Sequence, residues 1–494
     1  MPKLSNDWTI YEAAHLLNRA GFGGTPEEIR TLYGRGREGA VSWLLDAEES
    51  EDYAKPGFLG QIGEVWERYA ALRQESKTLS KEEADKKRRE LNQQVNRERR
   101  QQGVTLTQWW MERMRTTEAP LREKMVMFWH DHFPTSVQKV RRPKWMYEQN
   151  ELFREEALGN FGELTRKVAL DPAMMTYLDS ANSSKKKPNE NFARELMELF
   201  TLGEGNYTEE DVKEAARAFT GYRVQRVNGV VNHVARSWDD GEKVILGQRG
   251  AFDGPAVVEL VLKKPACGEY LAKKVFEYFC YDNPSEEVVK RLGRGFVKVG
   301  YEVKPLLREI FLSEEFYSER AMYSRIKSPV EFVVMMAKQL EVGGMPERLS
   351  MQALTQLGQV PFLPPNVAGW DWGKAWVNTN TLLTRYHLAG LITGAGGDPK
   401  MVTGGRGGGQ MFNLAIARRM PKPDYEVLAP RELREDVSAL VEELSFRLFQ
   451  RPLREKDRVA FESYAKAKRG AIFTNTEIAE LMHVMMSTPS YQLA

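Results

Sequence analysis

Apolar residues recur at helical spacing from Tyr11 to Arg19, and the turn Gly21-Phe22-Gly23-Gly24 hands the chain to Thr25-Pro26-Glu27-Glu28. That tetrad predicts a helix start: Thr25 caps, Pro26 suits the first helical position, and the two glutamates meet the positive end of the helix dipole. Between Lys77 and Arg100 apolar residues are sparse among Lys, Glu, Arg and Gln, which predicts a long solvated helix ending near Gly103. Further helices are expected from Pro120 to Trp129, with a break near Pro134, from Asn150 to Leu170, and from Asp171-Pro172 onward. A polar, lysine-rich loop spans 180 to 188, Asn189 opens a helix that Gly203 and Gly205 close, and Thr208 with Asp211 spells a capping box. The period then changes. Tyr222 to Val234 alternates polar and apolar about Asn228-Gly229, a strong hairpin signal, and 243 to 247 reads as a further strand. Helices resume from 255 to 279 and from Pro284 on. Two helical pairs, ending near Ser313 and Ser487, read as a weak internal repeat.

The expected fold class is therefore mainly α: a multi-helix body with a small β-hairpin subdomain near 222–250 and a helical C-terminal appendage. Eight glycines between Gly394 and Gln410 mark a flexible connection or lid. The expected organisation is a helical core over 1–390, a Gly-rich linker over 391–411 and a helical segment over 412–494.

Composition changes the picture mainly by exclusion. With 71 Lys+Arg against 69 Asp+Glu in 494 residues, the net charge of +2 carries no nucleic-acid footprint, and no nucleic-acid partner is expected. The basic run Lys139 to Lys144 beside Trp145 reads as a solvated face, with a contact to phosphate or nucleic acid as the alternative. Two cysteines, Cys267 and Cys280, make neither a disulfide framework nor a four-thiolate metal site. The first residues lack the apolar stretch of a secretory signal, and no apolar run approaches the ~18 residues of a membrane span. A cytoplasmic protein without membrane contact is the expectation. No phosphate-cradling glycine motif, serine elbow or HExxH pattern occurs, so cofactor and metal remain unspecified.

Three constellations carry candidate chemistry. On the helix opened at Asn189, the residues Asn191, Arg194, Glu195 and Glu198 share one face, with Glu190 adjoining, while Phe192, Leu196, Leu199 and Phe200 take the other. Such a face is either a solvated stripe, with an Arg194–Glu198 pair worth ~0.3–0.5 kcal/mol, or a buried carboxylate cluster in which Arg194 holds one glutamate ionised while another is raised. His130 and His132 follow Trp129 at spacing i, i+2, which on a helix sets them roughly 200° apart and prevents joint chelation unless the chain leaves helix before Pro134. Asn366, Trp370 and neighbouring tryptophans in a Pro/Gly loop provide either a sugar-stacking surface or a pin between helices.

The stretches His15-Leu16-Leu17-Asn18-Arg19-Ala20-Gly21-Phe22-Gly23, Phe128-Trp129-His130-Asp131-His132-Phe133 and Asn189-Glu190-Asn191-Phe192-Ala193-Arg194-Glu195-Leu196-Met197-Glu198-Leu199 occur in that order. With Lys327-Ser328-Pro329-Val330-Glu331 and Pro364-Pro365-Asn366-Val367-Ala368-Gly369-Trp370, they resemble the bacterial family catalogued as domain of unknown function 1800. The resemblance spans nearly the whole chain but implies no established reaction. It departs where the family often carries His-Asp before Gly-x-Lys and this chain has Trp238-Asp239-Asp240-Gly241-Glu242-Lys243. Members are often exported and found beside a sulfatase-like companion, which implies polymer or surface processing. The leading expectation is a carboxylate-based hydrolase of a carbohydrate or related polymer. Its acid/base candidates are Glu195 and Glu198, with Arg194 and His130 in support, and substrate contacts are expected from Asn189, Glu190, Asn191, Trp129, His132, Asn366 and Trp370. The alternatives are a non-catalytic helical scaffold that partners another enzyme, and a metal-dependent hydrolase using His130/His132 and Glu195/Glu198. His130, Glu195, Glu198 and Trp370 are expected to border one pocket with the glycine loop at its mouth.

Overall fold

A computed structural model describes residues 8–48, 53–395, 419–468 and 472–494. Much of the glycine-rich stretch expected as a linker or lid lies outside the described residues.

The chain is mainly helical. Helices α1 (Ile10–Ala20) and α2 (Pro26–Gly34) both begin in capping boxes, at Thr9/Glu12 and Thr25/Glu28. They are followed by α3 (Gly36–Asp46), α4 (Ile62–Glu75) and the 36-residue α5 (Lys81–Thr116). Contrary to expectation, α5 does not stop at Gly103. Its solvated first half continues into a second half that buries Leu106, Trp110, Met111 and Met114, and this packing outweighs the modest helical cost of one glycine. Next come α6 (Pro120–His132), α7 (Val137–Val140), α8 (Pro143–Glu155), α9 (Phe161–Ala169) and α10 (Pro172–Tyr177). The single helix expected over 150–170 is thus two, with Asn160 capping the second through Gly162 and Glu163 N–H.

After α11 (Asn191–Glu195) the helix widens into a π-helical turn, Leu196–Thr201. α12 (Glu209–Ala218) starts in the expected Thr208/Asp211 box. Strands β1 (Tyr222–Val224) and β2 (Val231–His233) pair antiparallel around Asn228-Gly229, and β3 (Lys243–Ile245) pairs with β4 (Gln248–Gly250). These two-stranded sheets are the β content of the described residues. α13 (Gly254–Leu262), α14 (Pro265–Phe279), α15 (Glu286–Lys298), α16 (Val303–Phe311), α17 (Pro329–Gln339), α18 (Glu347–Leu357) and α19 (Thr379–Thr393) complete the body.

The C-terminal helices Val437–Phe449, Glu455–Lys468 and Asn475–Met486 fold back against it. Gln450 donates to the Gly24 carbonyl, Tyr491 is buried among Phe332 and Phe449, and Ala494 N–H donates to the Arg325 carbonyl. The His15–Gly23 stretch serves assembly as well. His15 bonds the Phe316 carbonyl and Arg19 reaches the Ala321 carbonyl, so α1 is fastened to the segment that follows α16.

Candidate active site

The Phe128–Phe133 stretch forms the last turns of α6, and its helical geometry sends consecutive side chains in different directions. His130 and His132 are both buried, at 2% exposure each. His130 Nε2 accepts from Phe362 N–H at 2.9 Å inside a box of Trp110, Phe153, Phe362 and Trp370 rings. Burial lowers it to about 3, so it is neutral at physiological pH. His132 Nε2 pairs with the Phe200 carbonyl at 3.0 Å, and burial holds this ring well below its ordinary value too. The helix continues through His132, which keeps the imidazoles on opposite sides, and they do not converge on Glu195 and Glu198 as the metal reading requires. Among the described residues no group of three His, Cys, Asp or Glu side chains is arranged to hold a metal ion. Trp129 is fully buried and donates to the Ala157 carbonyl at 3.0 Å. These three aromatic side chains are committed to the core, which corrects the expectation that they orient substrate.

The residue between the histidines faces a pocket. Asp131 lines a small cavity of about 20 Å³ with Tyr278, Arg325, Glu331, Trp370 and Trp372. The Pro/Gly loop builds its wall. Asn366 Oδ1 accepts from Ala368 N–H at 2.7 Å, so this side chain makes the turn rather than a substrate contact. Gly369 then adopts φ +84°, and a Cβ there would lie 2.4 Å from Asp131 Oδ1 and 2.6 Å from its carbonyl oxygen. Only glycine lets the loop come this close, and the approach presents Trp370 N–H to Asp131 Oδ1 at 2.8 Å. Burial raises the Asp131 carboxyl to about 6 against the opposing pull of Trp370 N–H, Lys274 and the Trp372 indole. On the far side Glu331 is held ionised. Burial alone would raise it, but Lys124 and Arg325 outweigh that and depress it strongly. Glu331 bonds Lys124 Nζ directly and accepts from Ser328 N–H at 2.7 Å, closing the capping box that starts α17. Two carboxyl groups of one pocket are thus pushed in opposite directions, the pattern that separates an acid from a base.

The polar face expected after Asn189 divides. Asn189 Oδ1 accepts from Asn191 N–H at 2.9 Å and its amide donates to the Asp179 carbonyl, so Asn189 shapes the helix entry while Asn191 is exposed. Arg194 does not face Glu198. It grips Glu209 with two bonds of 2.7 and 2.8 Å and reaches Glu190 at 3.3 Å, tying α11 to α12 near the surface. Glu195 and Glu198 are partly buried. Burial and the Glu198 charge raise the Glu195 carboxyl, and Glu198 accepts from the Tyr207 hydroxyl at 2.5 Å. Glu195 ends α11 and Glu198 lies on the π-turn that follows, a kind of turn that concentrates at functional sites.

Helix α14 links the two carboxylate groups. Tyr270, whose hydroxyl donates to the Leu199 carbonyl at 2.9 Å, is raised to about 12 by burial and the Glu198 charge. Lys274, one turn on, is lowered by burial against the pull of Asp131. His130 packs on Trp370, Asp131 rather than His130 lines the pocket, and Glu198 acts on the neighbouring Tyr270 outside that pocket's lining. Asp131, Lys274, Tyr278, Arg325 and Glu331 escaped sequence reasoning. The available signal was the acidic residue a quarter-turn from each histidine.

A mainly helical protein with partly buried carboxylates beside a tryptophan-walled pocket is the class these features define. The chain belongs to the family described as protein of unknown function (DUF1800), whose model matches residues 15–493. No curated protein and no solved structure matches it.

Proposed function

We propose that this protein is a hydrolase that acts on a carbohydrate or related polymer through carboxylate acid–base chemistry. The observation that carries the reading is the Asp131 carboxyl, poised near neutrality in a pocket walled by Trp370 and Trp372. An acid that keeps its proton close to pH 6 is suited to protonate a leaving oxygen, and the exposed edge of Trp372 at the rim offers apolar surface to a sugar ring. The partner carboxylate is Glu331 or the Glu195/Glu198 pair; the first shares the pocket and the second is the more accessible. Release of reducing ends from an oligosaccharide panel tests the reading. The wild-type protein should turn over at least one member, and Asp131→Asn should lose about 10²–10⁴-fold, the usual contribution of a general acid. Turnover undiminished by Asp131→Asn, Glu195→Gln and Glu198→Gln would exclude carboxylate catalysis at these positions.

The scaffold reading draws on one observation, the Arg194–Glu190–Glu209 cluster, which joins two helices without facing the pocket. In that reading Arg194→Gln changes stability alone and no panel member is turned over.

A further inference from the structure

A short way along the chain from Asp131, but sharing no lining residue with its pocket, the start of α8 meets α5 and the tip of the β1–β2 hairpin around a second cavity of about 50 Å³. Three guanidinium groups line it: Arg99 from α5, Arg142 at the N-cap of α8, and Arg226 from the hairpin. Arg142 lies over the Trp66 and Trp145 rings, 5.7 Å from each centroid, so its planar group is held rather than swinging in solvent. The hairpin is pinned over the same place. Gly229, at φ +78°, packs so closely on Trp145 that a Cβ would come within 2.7 Å of Nε1.

The charges in this cavity are unbalanced. Its one acidic residue, Glu98, is engaged by Arg68 through two bonds of 2.9 and 2.5 Å. Among the described residues none of Arg99, Arg142 and Arg226 has a carboxylate within ion-pair distance, and Arg142 Nε is buried with no hydrogen-bond partner. Burial together with the Arg99 and Arg226 charges lowers the Arg142 guanidinium to about 10. Placement on the helix compounds the imbalance. A cation at the N-cap of the 13-residue α8 sits at the positive end of the dipole, where Asp, Ser or an anion is favoured. No side chain caps this end; Pro143 has no N–H and the Trp145 N–H donates to the Arg142 carbonyl at 3.0 Å, which leaves the Lys144 N–H as the donor of the first turn.

We infer that this cavity is a binding site for a tetrahedral oxyanion, a phosphate or sulfate group, held by Arg99, Arg142 and Arg226 at the N-terminus of α8. Guanidinium forks match the geometry of such oxygens, and the Lys144 N–H at the start of α8 adds one oriented donor to them. The site is separate from the proposed catalytic pocket, and its occupancy does not depend on the hydrolase reading.

Calorimetric titration of the full chain with inorganic phosphate, sulfate and glycerol phosphate, at constant ionic strength in chloride, tests the inference. At least one of the three should bind, with affinity reduced about tenfold or more in Arg99→Gln and in Arg142→Gln, since one tenfold step matches loss of a single charged hydrogen bond. Preference for glycerol phosphate over both inorganic ions would identify an ester as the natural source. Preference for an inorganic ion would identify the free anion. Without added anion, Arg142→Gln should melt at the same temperature as wild type or higher, because it relieves like-charge repulsion. Arg226→Gln lies on the exposed hairpin and gives a second variant that keeps the helical body intact. Absence of binding by all three probes, or binding unchanged in Arg99→Gln, Arg142→Gln and Arg226→Gln alike, would overturn the assignment.

Discussion

At the residue scale, Asp131 carries a stability signature as well as a proposed chemical role. Its carboxyl is raised from 3.8 to about 6 in the folded chain, so between those values the unfolded chain gives up a proton that the folded chain keeps. Stability contributed by this group is therefore greatest below about pH 4, declines as pH rises toward 6, and stays reduced above it. Asp171, buried and raised to about 7, adds a loss of the same sign that continues to neutrality. Asp131→Asn should consequently melt level with or above wild type at pH 7.5, and this advantage should shrink as the pH approaches 4; scanning calorimetry across that range checks it. One unit is worth about 1.4 kcal/mol, so the gain is a few kcal/mol at most. A marked fall in melting temperature at pH 7.5 would show Asp131 to be a structural anchor instead. The sequence directed attention to His130 and His132 because histidines are scarce, and the helical spacing already indicated that they diverge. What it could not supply was the approach of Trp370, 239 residues distant, which makes the intervening aspartate the group that meets the pocket.

At the element scale, the Asn366–Gly369 turn determines whether Trp370 reaches Asp131. Gly369→Ala should disturb this region by more than backbone strain, since the new Cβ collides with Asp131. Gly205→Ala provides the control: Gly205 also has positive φ, but open space surrounds it, so its cost should be about 1 kcal/mol. Denaturant unfolding of both variants should show Gly369→Ala to be the more destabilised, and equal losses would contradict the close-approach account. The Lys124–Glu331 pair presents a similar contrast. Both side chains are buried, so Glu331→Gln leaves Lys124 without its countercharge and should cost about 3–5 kcal/mol.

Capping residues made much of this scale readable in advance: Thr25, Asp171 and Thr208 each begin a helix where expected. The π-turn at Leu196–Thr201 was not readable, because the sequence continues a regular apolar period through it and the widening depends on tertiary contacts such as Tyr270 with the Leu199 carbonyl.

At the scale of the whole molecule, the end of the chain supports the pocket. Lys327 N–H donates to the Gln492 carbonyl, Lys327 Nζ to the Tyr491 carbonyl, and Ala494 N–H to the Arg325 carbonyl, so residues 491–494 hold the segment carrying Arg325 and Ser328. Deletion of 491–494 should lower the melting temperature and expose the Trp370–Trp372 region to solvent, seen as a red shift in tryptophan emission. An unshifted spectrum at an unchanged melting temperature would disprove that support. The mainly helical class and the Asn228-Gly229 hairpin were legible from periodicity and turn chemistry. The docking of the C-terminal helices was not, because an amphipathic pattern indicates that a face will be covered without identifying what covers it.

As the proposed acid of a carboxylate hydrolase, Asp131 should govern the alkaline limb of the reaction. The pH dependence of kcat/KM, measured for wild type and Asp131→Asn on a substrate taken from the oligosaccharide panel, tests it most directly. The wild-type profile should fall on its alkaline side with an apparent pKa near 6, and Asp131→Asn should lose at least a hundredfold with that limb abolished. A variant that retains wild-type turnover and the same alkaline limb would contradict it.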